Sequence, residues 1–171
     1  MQKMRTIHKI RLVFQVLGFA MMLSLGALSL APDAHASSCA AIRDADDRAL
    51  CRAKERGELS QCASIRDSDK RAYCRGLVRK QSSSCASIRD ADLRRQCQAE
   101  SRGSTSPCAA IRDADQRKMC QAKASGSASK CAAIRDSDQR AYCQAVVRKQ
   151  RSRCASIQDS DTRRACQSEA K

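Results

Sequence analysis

Twelve cysteines recur in a strict frame. A 23-residue unit opens at Cys39, Cys62, Cys85, Cys108, Cys131 and Cys154, and in every copy a second cysteine follows twelve positions later. No other cysteine is present. A short fixed period in which each copy carries its own pair describes small modules stacked in tandem, none able to bury a face alone, rather than one large core.

Pairing within units uses all twelve: Cys39 with Cys51, Cys62 with Cys74, Cys85 with Cys97, Cys108 with Cys120, Cys131 with Cys143 and Cys154 with Cys166. Pairing across units, Cys51 with Cys62 and onward, makes one bridge fewer and strands Cys39 and Cys166 at opposite ends. The within-unit scheme is the expectation and the shifted scheme its alternative, since sequence alone does not fix connectivity.

Residues 1–36 carry the parts of a secretory signal in order. Lys3, Arg5, Lys9 and Arg11 precede an apolar stretch from Leu12 to Ala31, Pro32 ends it, and Ala34-His35-Ala36 puts small residues where a signal peptidase needs them. An uncleaved membrane anchor is the competing reading, weakened by Gln15, Gly18 and Gly26. Export places the thiols in an oxidising space, where paired cysteines persist as disulfides. The expected location is periplasmic or extracellular, with a bacterial envelope favoured by the style of the signal.

Loss of residues 1–36 removes four bases and one acid and leaves a net charge of +12. The remaining chain holds six Ile, four Leu, three Val and no Phe or Trp. A strong-aliphatic fraction near 10% with high charge ordinarily marks disorder, so covalent staples must replace much of the hydrophobic core. Each disulfide closing a loop of this size contributes about 2 to 3 kcal/mol.

Every unit reads Cys-Ala-x-Ile, then Asp, a small residue and Asp, then Arg two positions later and Cys three beyond that. In the first unit these are Cys39, Ala40, Ile42, Asp44, Asp46, Arg48 and Cys51. Asp44 predicts a helix N-cap, and Asp46 lies where the helix dipole favours negative charge. Arg48, four residues after Asp44, is expected to form a surface pair with it. The helix should run on through Cys51 and Ala53 to Gly or Ser punctuation at Gly57, Ser82 to Ser84, Gly103 and Gly126. A short turn around Cys39 to Ile42 precedes it. The expected fold is all-α: six tandem short helical hairpins, disulfide-stapled, with a minimal core in which Ile42, Ile65, Ile88, Ile111, Ile134 and Ile157 form the seams between neighbours. Paired cysteines on short helices resemble the twin-cysteine helical hairpin proteins in architecture, with a different spacing, so the resemblance carries no functional residue across.

A second periodicity overlies the first. Units 2 and 5 share Arg-Ala-Tyr-Cys and a following apolar pair, units 1 and 4 share Cys-x-Ala-Lys, and units 3 and 6 share adjacent arginines. The chain therefore divides into a signal (1–36), repeats 1–3 (37–105) and repeats 4–6 (106–171), a duplicated block of 69 residues. Pro107 at the junction permits a bend, and a continuous rod is the alternative.

Catalytic chemistry finds little to use. His8 and His35 both lie in the signal, so the exported chain has no histidine for a general base, a Ser-His-Asp site or a His-containing zinc site. Six copies of Asp-x-Asp read as caps rather than calcium ligands or glycosidase carboxylates. The 12 and 11 spacing of the cysteines lacks the close pairs of zinc sites. No enzyme activity, metal or cofactor is expected.

The basic excess is the remaining functional clue. Arg75, Arg79, Lys80, Arg148, Lys149, Arg151 and Arg153 are the candidate anion-binding residues, within a wider set of irregularly placed bases that includes Arg95, Lys118, Lys123, Lys130 and Arg164. The expected partner is an anionic envelope polymer, a membrane surface or an acidic protein. Nucleic acid is disfavoured, because export separates it from the chain and two tyrosines make no stacking platform. The expected function is a non-enzymatic, exported repeat protein with a binding or structural envelope role. The alternative is a secreted effector, a toxin or enzyme inhibitor, on a disulfide scaffold.

Overall fold

A computed structural model describes residues 38–171; the expected signal segment and cleavage site lie outside the described residues. The long helices are Ala45–Arg56, Ser68–Arg79, Ala91–Arg102, Ala114–Ser125, Ser137–Arg148 and Ser160–Glu169. Each is preceded by a short arm. The arm is a 3-10 helix at Ser38–Ala41, Ser82–Ser87, Ser106–Ala110, Ala128–Ala133 and Arg151–Ser156, and a short α-helix at Leu59–Ala63. Among the described residues there is no strand.

The first Asp of each unit starts the long helix. Asp44, Asp67, Asp90, Asp113, Asp136 and Asp159 each accept the main-chain N–H three residues on at 2.7–2.8 Å, satisfying a donor the helix leaves free. Gly57, Gly103 and Gly126 end three helices in the left-handed conformation that glycine adopts without a Cβ clash. Units 2 and 5 end differently. There Lys80 and Lys149 occupy the same left-handed position at φ 54° and 55°.

Six disulfides join the two arms of each unit in the within-unit scheme, with Cα atoms 5.6–5.8 Å apart. No cysteine is free. The fixed arginine does not form the expected surface pair with the capping Asp. Instead Arg71 Nη1 donates to the Ile65 carbonyl at 2.8 Å and Arg94 Nη1 to the Ile88 carbonyl at 2.7 Å, and Arg48, Arg117, Arg140 and Arg163 do the same in their units. The corner between the arms exposes a carbonyl that no helix satisfies, and a guanidinium one turn into the helix is the nearest strong donor.

The second Asp lies in the first turn of its helix as expected, and it has a further role. Asp46 accepts the N–H groups of Arg66 and Asp67 of the next unit, both at 2.9 Å, so it also ties neighbouring units together. Asp69, Asp115 and Asp138 each hold two amides of the following corner, and Asp92 holds the N–H of Arg112. These bonds lower the pKa of Asp46, Asp69 and Asp115, the backbone donors being the main cause.

Hydrophobic burial follows the same boundaries. The six isoleucines are each 1% exposed and sit on the disulfide of their own unit. Small side chains from the preceding helix cover them, as Ala49 and Ala53 cover Cys62, Ile65 and Cys74. Gly76 comes closest, since a Cβ there would lie 2.6 Å from Cys97 Sγ. Sulfur and one isoleucine thus make a core small enough for a 23-residue unit.

The sixth such core joins the end of the chain to its beginning. Ala165 of unit 6 packs on Cys39, Ile42 and Cys51 of unit 1, and the Ser168 hydroxyl lies 3.0 Å from Cys51 Sγ. Asp161 accepts the N–H of Arg43 at 3.2 Å, repeating the bond between units. Arg164 Nη1 adds a bond to the Ala41 carbonyl at 2.7 Å. The six units therefore close into a ring, neither a rod nor two blocks bent at Pro107. Closure removes the exposed end faces for which open repeat arrays need polar capping units.

Candidate functional site

The long helices stand around the ring axis with one polarity. Leu93, Gln96, Gln116 and Gln139, from N-terminal halves, gather at one mouth; Gly57, Lys80, Gly103 and Lys123, from C-terminal ends, gather at the other. Every unit contributes two or three aspartates to the first face. The second face carries most of the exposed bases.

The third residue after each second cysteine supplies most of the lumen: Lys54, Leu77, Glu100 and Lys123 line one cavity and Glu169 reaches Lys123, while Val146 packs on the core of unit 6. Around the ring the six are Lys54, Leu77, Glu100, Lys123, Val146 and Glu169, a sequence of cation, apolar and anion that repeats after 69 residues. Lys123 Nζ lies 3.3 Å from Glu100 and 3.0 Å from Glu169, and Lys54 pairs with Glu169. Tyr73 donates to Glu100 at 2.9 Å and Tyr142 to Glu169 at 2.6 Å. Lys123 also stands 5.9 Å from the centroid of the Tyr142 ring. Two lysines, two glutamates and two tyrosines thus fill the lumen as a neutral cluster, the anion of one block meeting the cation of the other.

Burial alone would lower the pKa of Lys123, but Glu100 and Glu169 outweigh it and hold the ammonium well above the usual lysine range. Burial would likewise raise Glu169; Lys123 and Lys54 reverse the sign and hold it well below the usual carboxylate range. Both phenols are pushed up by burial and by the adjacent carboxylates. These shifts favour the charged forms of Lys123 and Glu169 and the neutral, donating forms of the two tyrosines. The cluster is a plug in a low-dielectric space, where an unpaired member is costly.

No protein-family model, curated protein or solved structure matches this chain.

The rim is the remaining candidate. Arg79, Lys80, Arg148, Lys149, Arg151 and Arg153 are exposed at or just beyond the helix C-terminal ends, the end of the helix dipole that favours cations. They form two clusters, in units 2 and 5, on opposite sides of the ring. Arg75 is also exposed but lies within its helix, next to Cys74, and is separate from the rim. Several of the other bases are not available. Lys123 is in the lumen, Arg95 pairs with Asp92 at 3.2 Å, and Arg164 is held by Asp161 and the Ala41 carbonyl. Lysine in the left-handed conformation costs about 1 kcal/mol relative to glycine. Both rim clusters accept that cost where three other units use glycine.

The lumen was visible in sequence only as an unexplained likeness of units three apart. Lys54 and Lys123, Tyr73 and Tyr142, Glu100 and Glu169 are each separated by one 69-residue block. That separation becomes a set of contacts only once the ring is known to close.

Among the described residues no group of three or more His, Cys, Asp or Glu side chains converges as metal ligands would. Nor is any helix there long and apolar enough to cross a membrane.

Proposed function

We propose that the protein is an exported, non-enzymatic ring that binds an anionic envelope polymer through the basic rim at its helix C-terminal face. The observation that carries this reading is the pair of exposed clusters, Arg79 with Lys80 and Arg148 to Arg153, each built around a lysine in the left-handed conformation. Helices packed about 9 Å apart in a six-membered ring put units 2 and 5 on the order of 18 Å from each other. A compact anion reaches one cluster; an extended polymer crosses the face and engages both, gaining the effective concentration of a two-site ligand. Six disulfides suit the oxidising space to which the N-terminal signal would deliver the chain.

Retention on an immobilised sulfated polysaccharide tests the proposal. The oxidised protein is expected to bind at low salt and elute as salt rises, because the interaction is between charges at a solvated surface. The triple reversal R148E/K149E/R151E should shift elution to markedly lower salt, while the same number of reversals on the opposite face, at Arg89, Arg112 and Arg135, should shift it little. Equal effects of the two reversals would reduce the interaction to net charge and remove the rim from the account.

A further inference from the structure

The two blocks of the ring differ beside the tyrosine–glutamate pair, and the difference opens a cavity. In the first block Gln96 lies beside the Tyr73–Glu100 pair, donating from Nε2 to Glu100 Oε1 at 2.9 Å and to the Tyr73 hydroxyl at 3.3 Å. The equivalent residue in the second block is Ala165, which has no donor and stops short of the axis. Tyr142 and Glu169 therefore face a space that Gln96 fills on the other side. That space belongs to a cavity of about 550 Å³ between units 6 and 1, within the range of pockets that hold small molecules.

Its walls combine an apolar strip with an acidic surround. Ile42, Leu50, Ala165 and the Tyr142 ring supply the strip. Five carboxylates, those of Asp47, Glu55, Asp159, Asp161 and Glu169, line it with the two ammonium groups of Lys54 and Lys171, while Lys70, Arg164 and Lys123 pair with Asp47, Asp161 and Glu169 from outside the lining. The lining itself is carboxylate-rich, in contrast to the strongly positive chain. A carboxylate offers about four acceptor positions, and Glu169 uses three of them on Lys54, Lys123 and Tyr142.

We propose that this cavity binds a small aliphatic amine as its ammonium ion. Its N–H donors take the place against Tyr142 and Glu169 that the Gln96 amide takes against Tyr73 and Glu100, and its carbon chain lies along Leu50, Ile42 and Ala165. The charge selects the cation, the apolar strip selects an organic body over a metal ion, and the internal duplicate shows that an N–H donor fits the place. The site is separate from the basic rim, none of whose residues lines the cavity.

Calorimetric titration of the oxidised protein with n-butylamine, and with n-butanol as the neutral isostere, tests the assignment. Saturable binding of the amine is expected, with the alcohol weaker by about tenfold or more, a difference of about 1.4 kcal/mol. Ala165→Gln rebuilds the arrangement of the first block and should abolish amine binding while leaving the disulfide map unchanged. Ala165→Met fills the same space without a donor and should do likewise, and Gln96→Ala should open a second site. Absence of saturable binding by the parent protein, or undiminished binding by a folded Ala165→Gln or Ala165→Met variant, would overturn the proposal.

Discussion

The carboxylate of Asp161 accepts the main-chain N–H of Arg43, 118 residues away, at 3.2 Å. It is the bond that Asp46 makes to Arg66 at 2.9 Å between adjacent units, transplanted to the two ends of the chain. Closure makes every unit an interior unit.

Deletion of residues 154–171 is therefore expected to cost more than one sixth of the structure. It uncovers the core of Cys39, Ile42 and Cys51 and strips Lys54 and Lys123 of Glu169. Thermal melting with intact bridges should show a large fall in midpoint, and size-exclusion chromatography should show association through the uncovered faces. An open array would lose one unit and keep the rest.

Lys123→Met leaves Glu100 and Glu169 facing each other in the lumen. Removing one member of a buried ion cluster costs about 3 to 5 kcal/mol, and replacing the charged members together by apolar groups of similar volume restores most of it. Urea unfolding of Lys123→Met and of the quadruple variant Lys54→Met, Glu100→Met, Lys123→Met, Glu169→Met should show the first low and the second partly recovered. The single change lowering stability by less than about 1 kcal/mol would mean that the cluster is solvated like a surface network.

The pH dependence follows from the signs of the shifts. Glu169, Asp46, Asp69 and Asp115 have folded pKa values below the unfolded values of 4.5 and 3.8, so their contribution is present above those values and is lost as pH falls through the folded ones. Lys123 and the two tyrosines are raised above 10.5 and 10.0, so theirs is present below those values and is lost as pH rises. Urea midpoints should form a plateau from about pH 5 to about pH 9 with a fall on each side. Glu169→Gln should flatten the acid limb.

Lys80→Gly and Lys149→Gly should each stabilise the ring by about 0.5 to 1 kcal/mol, since glycine takes the left-handed conformation without the Cβ penalty. The same variants should elute earlier from a sulfated matrix, a gain in stability with a loss in binding. Later elution, or no change in both, would detach the strained lysines from the rim's function.

How much of this was legible varies by residue. Ile42 and its copies were readable as seams because they are the only strong aliphatics present in every unit, and the cysteines because parity favours one pairing. Asp46 was placed correctly in the first turn of its helix, but its hold on the next unit was not legible, because a carboxylate there satisfies the dipole argument whether or not a neighbour's amides are within reach. Arg48 was misassigned because helical spacing says which side chains share a face but not that the corner carbonyl lacks a donor. Lys123 read as a free surface base because a lone lysine gives no sign of burial until its partners, 23 and 46 residues away in sequence, are placed around one axis. Ring closure itself leaves the repeat unchanged, so the open and closed arrays share one sequence pattern.

The most direct measurement is zero-length carbodiimide cross-linking of the oxidised monomer followed by peptide mapping by mass spectrometry. The closed ring predicts an amide between unit 1 and unit 6 within a single chain, at Glu55 with Lys171 or Lys54 with Glu169, in protein whose six bridges map within units. Monomer with those six bridges but with cross-links only between neighbouring units, and none joining residues 39–61 to 154–171, would contradict it.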